Sequence, residues 1–233
     1  MKLFTHFKKL KDLFQKPDEI SANNLTVVCS IQDDQLRREI RTVWDHEDNW
    51  GLQRAKDVLH IMYSNKDLPV SVVTVMIRVY PFDGVGFTHD GKKNGIKEVH
   101  ISSKYINRIP QGRRLLELEG VLSHELVHAF QYNGSGTAPG GFIEGLADFY
   151  RLRLGLAPPH WKREVRGKKW DDGYEKTGFF LDWVEIQYPG TMERINTHLK
   201  THRWHDVDPF ERYTGEKVHS LFDTFSRHSF SVI

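Results

Sequence analysis

The sequence predicts an α+β fold. Strand-like segments are confined to the first half, and the second half is almost wholly helical in its apolar periodicity. The strongest strand is Val70–Tyr80, VSVVTVMIRVY, rich in β-branched residues and placed between polar segments. The helical half shows as five amphipathic segments, residues 113–132, 142–154, 174–188, 190–198 and 215–227.

Along the chain, Leu3, Phe7, Leu10 and Phe14 recur at helical spacing with Lys8, Lys9 and Lys11 between them, and Pro17 ends the pattern. Residues 1–24 therefore read as a short basic amphipathic helix and a linker, and residues 25–233 as a single domain. Leu25–Ile31 is a short strand candidate. Leu36, Ile40, Val43 and Trp44, then Leu52, Ala55, Val58, Leu59 and Met62, give helical periodicity from Asp33 to Ser64. After Val70–Tyr80, Asp83-Gly84-Val85-Gly86 forms a turn into an extended piece, and Glu98–Ser102 is a further strand.

Composition excludes several classes of function. The 233 residues carry 33 Lys and Arg against 31 Asp and Glu, a net charge of +2, so the basic excess of a dedicated nucleic-acid binder is missing. No apolar run approaches the ~20 residues that span a bilayer, and no signal-like apolar stretch follows the start, so the expected location is intracellular and cytoplasmic. Mitochondrial targeting by the basic N-terminal helix is the alternative. A single cysteine, Cys29, excludes a disulfide framework and a Cys-rich zinc site and reads as a small buried hydrophobe, while 13 histidines supply ligand stock.

The chemistry concentrates in Ser123-His124-Glu125-Leu126-Val127-His128. His124 and His128 lie about one helical turn apart, so both imidazoles leave one face of the helix and can grip one metal ion. Leu115, Leu118, Leu122, Leu126 and Ala129 form the apolar stripe that would hold them there. Glu125, beside the first histidine, is the candidate general base for a metal-bound water. A third ligand is needed. The Gly-rich loop 133–140 leads into Gly141-Phe142-Ile143-Glu144-Gly145-Leu146-Ala147-Asp148, where Glu144 and Asp148 stand one turn apart. One of the two would bind the metal, and the other would accept the free N–H of a ligand histidine. His198, His202 and His205 read as a surface helix end, and Lys162 to Lys169 as a solvated basic loop.

HELVHAFQYNG followed by APGGFIEGLADFYRLRLGLAPPHW resembles the basic secretory protein family, the peptidase family of plants and bacteria. Trp170 to Trp183 and Thr214 to Phe222 extend the likeness, which spans roughly residues 25–225. The resemblance implies a zincin-like domain of the gluzincin kind: a small twisted sheet, a helical half, and the HExxH helix between them. It implies Zn2+ held by His124, His128 and Glu144, with Glu125 as base and Asp148 behind the ligands. Tyr174-Glu175-Lys176-Thr177 is similar to a Tyr-Glu-Lys-Gly run whose tyrosine steadies the oxyanion in gluzincin aminopeptidases, with Thr177 replacing the glycine. Tyr174 is thus the expected second catalytic residue.

The expected function is zinc-dependent hydrolysis of peptide bonds in a peptide or protein substrate. The extended piece Gly84–Thr88 is a candidate for binding substrate by strand addition. Two alternatives stand beside it: a non-catalytic binding module on the same fold, and a hydrolase of a non-peptide amide or ester.

Overall fold

A computed structural model describes residues 25–63, 72–163 and 168–228. The helix expected within residues 1–24 lies outside them. Chain contacts divide the molecule into two compact units, Met1–Ala129 and Phe130–Ile233. No helix among the described residues is long and apolar enough to cross a membrane.

In the first unit the chain runs β1 (Thr26–Ile31), α1 (Asp34–Arg41), α2 (Glu47–Met62), β2 (Thr74–Tyr80), β3 (Gly86–Asp90), β4 (Ile96–Ser102), a single turn α3 (Ser103–Ile106) and the long α4 (Gln111–Phe130). The strand order is β1-β2-β4-β3. β1, β2 and β4 are parallel, and β3 returns antiparallel to β4 at the edge. β2 alternates as a strand between two environments should: Val75, Ile77 and Val79 are fully buried. Their parallel neighbours on β4 follow suit, with Ile77 beside Val99 and Val79 beside Ile101.

The helical stretch expected from Asp33 to Ser64 is two helices. Asp33 caps α1 by accepting from the backbone N–H groups of Gln35 and Leu36. Thr42 closes α1 by bonding back to Glu39 O, and His46 opens α2 by accepting from Asp48 N. These local side-chain bonds compete with helix continuation and win. Trp50, Ala55, Val58, Leu59 and Met62 bury one side of α2. Gly51 lets that helix lie close on β1, since a Cβ there would come 2.5 Å from Cys29 Sγ. Asp48 also accepts from Cys29 N, tying the same two elements together.

The second unit contains α5 (Gly140–Arg153), α6 (Tyr174–Gln187), α7 (Thr191–His198), α8 (Pro209–Thr214) and α9 (Val218–His228). α5 and α6 pack closely because both carry glycine at the contact. A Cβ on Gly145 would fall 2.2 Å from Thr177, and one on Gly178 3.2 Å from Asp148. Phe142, Trp170, Trp204 and Phe210 interlock at centroid distances of 4.8–6.5 Å and centre the core of this unit. The last helix expected over 215–227 begins later than that, and α8 precedes it. Asp208 caps α8, Pro209 fills its first position, and Gly215 at φ 80° ends it.

Candidate metal centre

α4 carries His124, Glu125 and His128, and its apolar stripe does what its spacing predicts: Leu118, Leu122 and Leu126 are fully buried, and Leu115 and Ala129 nearly so. With that stripe sunk in the core, the rotation of the helix about its axis is fixed, and both histidines leave the same face. Their Nε2 atoms are 3.0 Å apart and the rings meet edge to face. Two imidazole nitrogens this close can share one ion at the ~2.0–2.1 Å usual for zinc–nitrogen bonds.

Glu125 is buried, and β3 holds it. The Thr88 hydroxyl lies 2.8 Å from Glu125 Oε2 and 3.0 Å from the Glu125 backbone oxygen. Gly86, two residues earlier on the same face of the strand, leaves room for the carboxylate, since a Cβ there would come 2.7 Å from Oε1. Neither Gly86 nor Thr88 stands out in the sequence as a support for the candidate base. Both lie in the extended piece Gly84–Thr88, expected to bind substrate by strand addition, and nothing in the sequence links either to Glu125.

In the second unit, α5 carries Glu144, half-buried, and Asp148, fully packed one turn later. Gly173 adjoins the first of these: its missing Cβ would stand 4.0 Å from the Glu144 Cβ. The next residue, Tyr174, opens α6 and is 56% exposed. Its φ of 46° is one of two positive values among the described non-glycine residues. A bulky aromatic in this region costs about 1–3 kcal/mol, the kind of local strain that gathers at functional positions. Thr177 is explained by its bonds. Its hydroxyl donates to Trp170 O and accepts from Gly173 N, both at 2.9 Å, so it locks the turn from which Tyr174 emerges. A glycine there could not do this.

Among the described residues of the first unit, His124 and His128 form the candidate ligand pair, and in the second unit α5 offers Glu144 as a candidate carboxylate. His198, His202 and His205 form no ligand group among the described residues: His198 is buried and stacks flat on His202 at 4.2 Å, and His205 is exposed. Trp170 packs in the core, stacked on Trp204.

A family model described as Peptidase of plants and bacteria matches residues 40–225. No curated protein and no solved structure matches the chain.

Proposed function

The chain belongs to the peptidase family of plants and bacteria, and from that premise we propose that it hydrolyses peptide bonds at a zinc ion held by His124, His128 and Glu144. The observation that carries this reading is the donor set itself. His124 and His128 bring their Nε2 atoms to 3.0 Å from one helix face, and Glu144, the carboxylate of the family-like segment on α5, would complete the His2Glu set usual for hydrolytic zinc.

When bound, the ion would supply a Lewis acid for the scissile carbonyl and lower the pKa of a water to ~7. The protein's own residues do the rest. Glu125 takes the proton of the attacking water and returns it to the departing amine, with its carboxylate steadied by Thr88. The family resemblance would give Asp148 the second ring N–H of a ligand histidine to accept, fixing its tautomer. Tyr174 donates its phenolic hydrogen to the oxygen that becomes negative on attack.

The test is zinc analysis of the purified protein beside a peptide-library cleavage assay, with and without chelator. Zinc and chelator-sensitive cleavage are expected together. Glu125→Gln should keep the zinc and lose activity by about 10²–10⁴-fold. A zinc-loaded protein that cleaves no peptide would overturn the reading in favour of a non-catalytic binding module. Turnover confined to other amides or esters would replace the substrate class.

A further inference from the structure

The sheet has a second face, and its side chains play no part in the site just described. Thr88 points to Glu125, so its neighbours Phe87 and His89 point the other way. The antiparallel register sets His89 opposite Glu98 and Phe87 opposite His100, which brings all four onto one face of the β3–β4 ribbon.

We propose that His89, Glu98 and His100 form a second metal site, one for a divalent first-row transition ion such as zinc. One ligand atom from each of the three lies within 4.8 Å of the others. His100 is 8% exposed, and neither of its ring nitrogens has a hydrogen-bond partner. Buried imidazole nitrogens are normally satisfied, so an unpartnered pair marks a place where a ligand belongs. His89 Nδ1 lies 2.8 Å from the carbonyl oxygen of Asp90. A carbonyl can only accept, so Nδ1 carries the proton and Nε2 keeps the free lone pair that a metal needs.

The surroundings suit an ion. Glu98 Oε2 stands 3.8 Å from His100 Nε2, and Arg78 Nε forms an ion pair with the same oxygen at 3.3 Å. Phe87 stacks on His100 at 4.5 Å and walls one side with apolar surface. Two imidazoles and one carboxylate favour zinc, cobalt, nickel or copper over calcium and magnesium, which prefer all-oxygen sites. The ion would bridge β3 to β4 and so clip the edge strand that presents Thr88 on its reverse side.

The experiment removes the first site so that only the second is read. Metal-free His124→Ala/His128→Ala protein, its fold checked by circular dichroism, is titrated with Zn2+ by calorimetry. One equivalent should bind and raise the thermal unfolding midpoint. Adding His89→Ala, at an exposed position, should abolish both effects. Absence of binding by the double variant, or an equivalent that survives His89→Ala, would overturn the proposal while leaving the His124–His128–Glu144 reading untouched. Should the double variant fail to fold, the wild type is compared with His89→Ala alone. A drop from two zinc equivalents to one supports the second site, and an unchanged count overturns it.

Discussion

The Thr88 hydroxyl is 2.8 Å from Glu125 Oε2, so an edge strand of the sheet holds the carboxylate that the helix presents. Thr88→Val keeps the side-chain shape and removes the donor. It should lower kcat by about 10–100-fold with the fold and the zinc retained, since hydrogen bonds to charged groups contribute about 1.5–3 kcal/mol. Thr88→Ser should restore most of the loss. A valine variant with wild-type kcat would show that Glu125 needs no such support.

Glu144 and Asp148 are expected to differ in how they serve zinc. Glu144→Ala should nearly abolish binding, measured by competition with a chromophoric chelator. Asp148→Asn should weaken it by about 10–100-fold, the usual effect of a residue that orients a ligand. The opposite order would make the aspartate the ligand.

Tyr174 offers a clean test because phenylalanine carries the same backbone cost at φ 46° and lacks only the hydroxyl. Tyr174→Phe should leave folding and zinc intact and reduce kcat by about 10²–10³-fold with little change in KM. An unaltered kcat would reduce the tyrosine to a packing role.

Glu119 on α4 yields a pH-dependent prediction. Burial pushes its carboxyl above the usual range, although Arg54 Nη1 lies 3.9 Å away. The folded state thus holds this proton more tightly than the unfolded chain. The resulting stability is complete below the unfolded value of ~4.3 and is lost as pH rises through the folded one. Glutamine mimics the protonated acid, and Arg54 keeps Asp57 at 2.6 Å. Glu119→Gln should therefore be more stable than wild type at alkaline pH and differ little from it at pH 4, read by urea unfolding. A difference independent of pH would place the effect elsewhere.

What could be read from the sequence follows the range of the forces involved. The α4 histidines were legible because helical spacing alone puts them on one face, and the leucine stripe fixes which face is free. The strands were legible from their β-branched runs. The division of the Asp33–Ser64 stretch was not, since it depends on Thr42 and His46 turning their side chains onto the backbone. The start of α8 was written plainly in Asp208-Pro209, but the weak apolar pattern around it hid the signal. Gly84–Thr88 was legible as a strand of the site, but the contact of Thr88 and Gly86 with Glu125 was not: alternation tells which residues share a strand face, and only the packed sheet tells what that face meets. Thr177 looked like a departure from a motif, and its two hydrogen bonds make it the lock of the turn before α6.

The seating of Cys29 against Gly51 has a practical consequence. Burial raises the thiol far above its ordinary value, so almost none of it is thiolate while β1 and α2 stay joined. It is also the chain's one cysteine. A thiol-reactive dye added to the native protein should therefore label this half-buried thiol slowly, and any loosening of β1 from α2 should speed the labelling. A cysteine introduced at any open surface position would react long before it, giving one attachment point without removing the natural residue.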